Sequence, residues 1–217
     1  MKKLIPFLFA IVLFASCEKD PDLDKVQNQF AVYTQYDTKA DFATAKTYFI
    51  PDSVLLITSS EKPTYWTGAQ ASDIINAYIT NMNAKGYTKV SDKAKADLGL
   101  QVSYVESTNY FVDNNYWWND YPGYWGPGYW WPGYTGGWYY PYQTVYSYTT
   151  GSILSEIVDL RTASAAVAGS SSDKLTVIWN AYMTGLLTGS NQVNMNRAVE
   201  AINQSFTQSP YIKSTVK

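Results

Sequence analysis

The sequence predicts an α+β fold: an antiparallel-rich sheet with two amphipathic helices packed on one face, plus a long aromatic Gly/Pro-rich hairpin insert. Three observations carry that expectation. Two segments place apolar residues at helical spacing, several others alternate or concentrate β-branched and aromatic residues, and one stretch between them is dominated by Trp, Tyr, Gly and Pro.

Taken in order, residues 28–36 and 46–50 are rich in β-branched and aromatic side chains, and 53–58 is a short apolar run. All three suit strands. Next, Ile74, Ile75, Tyr78, Ile79 and Met82 share one helical face, with Ser72 or Thr67 available to cap the start and Gly86 to stop the helix after Lys85. Leu98, Leu100, Val102 and Tyr104 then alternate with Gly99, Gln101 and Ser103, the pattern of a strand buried on one side. Further strands are expected at 143–149, 151–160 and 174–183, the last two forming a hairpin across a connection, 162–172, made almost wholly of Ala, Ser and Gly. Met195, Ala198, Val199, Ile202 and Phe206 mark a closing helix between Ser190 or Asn191 and Pro210.

At 217 residues and a formal net charge of -2, one domain over 28–213 is the expectation. The charge provides no footprint for phosphate backbones, so nucleic acid is not an expected partner. The chain contains no histidine, and its only cysteine is Cys17. The usual general base, the commonest zinc ligands, a Cys/His nucleophile pair and an intrachain disulfide are therefore all missing, and no metal or cofactor is expected.

Cys17 has a different chemistry. Lys2 and Lys3 precede an apolar run of about 12 residues, the length of a signal-peptide core and short of a membrane span. That run closes as Phe14-Ala15-Ser16-Cys17, which resembles the bacterial lipobox, with Phe14 where leucine is usual. Residues 1–16 are thus expected to be a removed leader and 17–27 a lipidated cysteine followed by an acidic tether, Glu18-Lys19-Asp20-Pro21-Asp22-Leu23-Asp24. In the lipobox class the thiol carries diacylglycerol and the new amino terminus is acylated; more than one chain, at roughly 0.8 kcal/mol per buried methylene, anchors stably. This predicts a lipoprotein in the cell envelope of a Gram-negative bacterium, its membrane partner reached through that lipid. The outer membrane is the expected site, and the acidic run resembles signals for display on its outer surface.

Asp41-Phe42, Lys46-Thr47-Tyr48, Ala84-Lys85-Gly86-Tyr87, Ala96-Asp97-Leu98, the segment 151–159 and Val177-Ile178-Trp179 before a closing helix occur in an order and spacing that resembles the domain-of-unknown-function family 4136. The resemblance runs from about Phe30 to Ile212. It implies the fold and an envelope lipoprotein, and no particular activity. Where members often follow the tryptophan with a basic residue and glycine, this chain has Asn180-Ala181.

The insert spans 109–142 and holds six of the 8 tryptophans. Inside it a five-residue unit occurs three times: Pro122-Gly123-Tyr124-Trp125-Gly126, Pro127-Gly128-Tyr129-Trp130-Trp131 and Pro132-Gly133-Tyr134-Thr135-Gly136. Pro-Gly pairs suit the centre of type II turns, which would place the three tyrosines at fourth positions and exclude helix or ladder strand. The segment reads either as a self-packing loop or as a binding face. In the second case Trp117, Trp118, Tyr124, Trp125, Tyr129, Trp130, Trp131, Tyr134 and Trp138 are the candidate ligand-binding residues, beside Asn114, Asn115, Asn119 and Asp120. Such rings suit sugars or an envelope protein partner; lipid headgroups and bases fit less well without nearby Lys or Arg.

The expected function is non-catalytic. Glycoside hydrolysis needs two carboxyls about 5 to 9.5 Å apart, and no spacing among Asp97, Glu106, Asp113, Asp120, Glu156 and Asp159 singles out a pair. Asp97 and Asp159, at strand ends, suit turn support. A carbohydrate-active hydrolase using carboxylates near the aromatic loop is the alternative from another class.

Overall fold

In a computed structural model the chain is described over residues 30–58, 63–106, 127–130, 137–142, 149–161 and 175–216. Nine strands among them join in one sheet: β1 (Ala31–Tyr36), β2 (Thr47–Phe49), β3 (Val54–Ile57), β4 (Thr64–Trp66), β5 (Thr88–Lys89), β6 (Leu98–Val105), β7 (Trp138–Tyr139), β8 (Ser152–Asp159) and β9 (Leu175–Thr184). The helices are α1 (Ala69–Ala84), a single turn α2 (Pro127–Trp130) and α3 (Asn191–Thr207), with a 3-10 turn at Lys93–Lys95.

The centre of the sheet is β6, β8 and β9, paired antiparallel along their lengths. Each outer edge of this trio is lined by two short strands placed end to end. Along β6 these are β2 and β3, both parallel to it; along β9 they are β1, antiparallel, and β7, parallel. The sheet is therefore mixed, which corrects the antiparallel-rich expectation. Hairpin logic missed the crossover: α1 lies between β3 and β6, and a helical return is what brings a strand back parallel.

Both long helices cover one face, as their periodicity predicts. Ile74, Ile75, Tyr78 and Met82 of α1 and Ala198, Ile202 and Phe206 of α3 are buried there. They share a core with Leu98, Leu100, Val102, Ile153, Ile157 and Trp179. A register shift at Ile157/Val158 lets Ile178 and Trp179, adjacent in β9, both join that core. The Trp179 indole donates to Ser209 Oγ at 3.0 Å and its ring lies 5.5 Å from Phe206.

Three details depart from expectation. Helix α1 starts after Gly68, whose φ of 96° suits glycine, so neither Thr67 nor Ser72 is the cap; Ser72 sits within the first turn and donates to the Gly68 carbonyl. The stop at Gly86, φ 92°, is as expected. Second, β6, expected to be buried on one side, is buried on both, as is β8. Third, the middle Pro-Gly-Tyr unit forms α2 instead of a type II turn, because proline is tolerated at the first position of a helical turn. The expected strand at 143–149 and the connection at 162–172 fall almost wholly outside the described residues.

Candidate functional site

The face of the sheet opposite the helices carries a row of amide and acid side chains at its centre. Register places Gln101 of β6 opposite Glu156 of β8, Glu156 opposite Asn180 of β9, and Asn180 opposite Gln35 of β1. Since side chains alternate along a strand, all four project to this same face. Gln101, Glu156 and Asn180 are each no more than 1% exposed.

Burying such a row costs free energy unless its groups find partners; the insert supplies two, while Asn180 Oδ1 and Gln35 Oε1 have none among the described residues. Gln101 Nε2 donates to Glu156 Oε2 at 2.7 Å, Tyr140 OH donates to Glu156 Oε1 at 3.0 Å, and the Trp130 indole donates to Gln101 Oε1 at 2.8 Å. Burial pushes the Glu156 carboxyl from its ordinary 4.5 up to about 8, against the opposing pull of the hydrogen bonds from Gln101 and Tyr140. At neutral pH this acid holds its proton, and with that proton on Oε1 the Tyr140 contact reverses, the acid donating and the hydroxyl accepting.

Trp130 is 0% exposed. Its six-membered ring lies over Gly99: a Cβ there would sit 2.5 Å from Trp130 Cζ3, so only glycine leaves the space. Phe49 meets its edge at 6.2 Å. Trp138, 7% exposed, is delivered by β7, which runs beside Leu175. Together with Leu55, Leu154, Val158, Val177 and Tyr182 these two tryptophans form a second core. Neither presents a ring face to solvent, so for Trp130 and Trp138 the structure assigns packing on the sheet.

Tyr129, on the same helical turn, is placed differently. It is half-buried, meets Trp130 edge-on at 5.3 Å, and has the Lys93 ammonium 3.6 Å above its ring centre. Lys93 Nζ also donates to the Tyr129 carbonyl. Burial lowers the Lys93 pKa and raises that of Tyr129. Beside this ring is a concavity of about 700 Å³, lined by Phe49, Pro51, Asp52, Ser53, Lys89 and Tyr129 among others. An aromatic ring, a carboxylate, an ammonium and a hydroxyl thus border one hollow. Tyr139, half exposed, is the most open ring of the described insert residues; Tyr140 and Tyr142 are half-buried like Tyr129.

The remaining candidates Trp117, Trp118, Tyr124, Trp125, Trp131 and Tyr134 lie outside the described residues, as do Asp113, Asp120 and Cys17. Of the described candidate carboxylates, Glu156, Asp97 and Asp159 are occupied. Asp97 Oδ2 accepts from the backbone N–H of Lys46 and Thr47 at 2.7 and 2.9 Å, tying the start of β2 to β6. Burial pushes its carboxyl up, but those hydrogen bonds prevail and hold it below the usual range. Asp159 binds Arg161 in a fork at 2.9 and 2.7 Å, and Arg161 reaches on to the Asp41 carbonyl. Glu106 is exposed at the end of β6. Asp159 and Glu156, three apart on one strand, face opposite sides of the sheet. Among the described residues no group of three His, Cys, Asp or Glu could hold a metal, and no helix is long and apolar enough to cross a membrane.

Sequence reasoning did not find Gln101, Tyr140, Asp52, Lys89 or Lys93. Gln101 alternates with apolar residues and so reads as solvent-facing; the discriminating signal is the indole at 130, which cannot be paired with it by spacing.

These features define an α+β sheet domain with helices on one face and, on the other, an aromatic insert covering a polar row. The chain belongs to the DUF4136 family, a domain of unknown function, whose profile matches residues 32–211. A DUF4136 family protein from Bacteroides thetaiotaomicron, solved by crystallography, is similar at 49% identity and a TM-score of 0.75, with 85% of this chain and 97% of that one covered. The PelC dodecamer from Paraburkholderia phytofirmans aligns at 11% identity and a TM-score of 0.39 over 85% of this chain and 99% of that one, too distant to carry anything across. Among curated proteins no relative matches.

Proposed function

We propose that this protein is a non-catalytic lipoprotein of the Gram-negative cell envelope, held at the outer membrane through lipid on Cys17, and that its aromatic insert offers a binding face for a glycan or an envelope partner. The observation that supports the binding reading is the placement of Tyr129. Its neighbour Trp130 is anchored in the second core, while Tyr129 itself borders the hollow shared with Asp52, Ser53 and Lys89. A ring held on a rigid base beside hydrogen-bonding groups of both signs is the arrangement that stacks on a sugar and orients its hydroxyls.

Calorimetric titration of the mature chain against a panel of envelope glycans tests this reading. Tyr129→Ala and Asp52→Asn are each expected to weaken the best ligand about tenfold with the fold retained. Affinity indifferent to both changes would sink it. Hydrolysis of any glycan in the same panel, abolished by an Asp or Glu substitution, would instead establish the hydrolase. Removing the whole insert is the poorer control, since it also removes Trp130 and Trp138 from the core. For the anchor, Cys17→Ala is expected to shift the protein from the membrane to the soluble fraction, and protease treatment of intact cells reports which side it occupies.

A further inference from the structure

On the helix side of the sheet, remote from the insert's polar row, a cleft of about 310 Å³ opens between the N-terminal turns of α1 and α3. Its walls are apolar: Trp66, Ile74, Tyr104, Leu186 and Met195 contribute, with the Trp66 and Tyr104 rings 5.7 Å apart and tilted by 59°. The rim is polar. Gln70 and Asn191, exposed at the first turn of each helix, stand there with the exposed carboxylate of Glu106, and with Asn194, whose Oδ1 is already taken by the Thr188 N–H and hydroxyl at 2.6 and 2.7 Å. No lysine or arginine lines the cleft. Neither helix carries a side-chain cap or an acidic residue in its first turn, so backbone N–H donors are also left at this rim.

The geometry points to a binding site of its own here, independent of the insert, for a small uncharged amphiphile: one short alkyl chain or ring system bearing a hydroxyl head. Three features select that class. The volume is at the lower end of small-ligand sites, which fits a single chain and not a diacyl lipid. Carboxamides, backbone N–H groups and a carboxylate together offer both donors and acceptors, the set a hydroxyl uses. An anionic head would meet Glu106 with no lining cation to offset it, and an exposed carboxylate is a weak partner for a cationic one.

The test is fluorescence titration of the full mature chain with N-phenyl-1-naphthylamine, an uncharged apolar fluorophore, followed by displacement with 1-octanol or octanoate. The expected result is a saturable rise, displaced by octanol at a concentration about tenfold lower than by octanoate. Met195→Trp and, separately, Gln70→Trp should each weaken the fluorophore several-fold, and Glu106→Gln should narrow the gap between the two competitors. Gln70 is exposed at a helix start, so its variant folds even if the Met195 change does not. No saturable rise, equal displacement by both competitors, or an unaltered titration in the folded tryptophan variants would overturn the assignment. Tyr129→Ala is expected to leave this titration unchanged, which separates it from the glycan site.

Discussion

The two faces of the central strands bury different chemistry. On the helix side Leu98, Leu100, Val102, Ile153 and Ile157 meet the apolar stripes of α1 and α3, a contact that needs only hydrophobic shape and size. On the insert side the same strands present Gln101, Glu156 and Asn180, and what covers them must also match hydrogen bonds. Apolar packing tolerates substitution that preserves volume. A buried polar row is less forgiving, because losing one partner leaves another group desolvated and unpaired.

The sharpest way to break that contrast is to truncate one large ring on each face. Phe206→Ala on the helix side and Trp130→Ala on the insert side should each cost roughly 3–5 kcal/mol of unfolding free energy. Trp130→Ala is expected at or beyond the upper end, since it also strips the donor from Gln101 Oε1 in a buried site. Denaturant titration of both variants checks the order; a smaller loss for Trp130→Ala would mean the insert rests loosely on the sheet.

A second test uses pH, which between 5 and 8 should act chiefly on the insert face. In the fold Glu156 keeps its proton up to about pH 8, whereas unfolded it loses it near 4.5. Between those values the unfolded state binds fewer protons than the native one. Stability therefore falls as pH rises through that window, at about 1.4 kcal/mol per unit, and the Glu156 contribution is level on either side. With no histidine in the chain to titrate there, melts between pH 5 and 8 should show this slope, and Glu156→Gln should flatten it. A slope that survives the substitution would place the proton elsewhere.

The smallest expected effect is at Lys93. Its ammonium over Tyr129 is worth about 0.5–1 kcal/mol at a partly exposed site. Lys93→Met should therefore leave the denaturation midpoint nearly unchanged while altering ligand affinity at the Tyr129 hollow, a split that calorimetry and denaturant titration together would reveal.

Much of the framework is readable in the chain because it rests on local periodicity. The stripe from Ile74 to Met82 finds α1, Gly86 finds its end, and the alternation from Leu98 to Tyr104 finds β6. The mixed pairing is not readable, because direction depends on which distant strand β2 and β3 join. The candidate site is harder still. Trp130, Trp138 and Tyr129 all read as one aromatic class, yet two are buried core and one edges a hollow; no pattern within Pro127-Gly128-Tyr129-Trp130-Trp131 separates Tyr129 from Trp130. Asp159 is read correctly as a turn support, since it accepts from the Arg161 N–H two residues on; Asp97 instead accepts from Lys46 and Thr47, 51 and 50 residues away, a partnership that turn chemistry does not predict.

By itself the sequence determined the α+β class, the two helices and their buried faces, the family, and the concentration of aromatic residues in one insert. Periodicity and composition are properties of neighbours along the chain. Only the tertiary structure decided that the second face of the sheet is covered, that Gln101, Glu156, Asn180 and Gln35 form one row, and that Gly99 makes room for an indole 31 residues away. Those facts depend on register and on contacts between distant segments, which the order of neighbours along the chain does not encode.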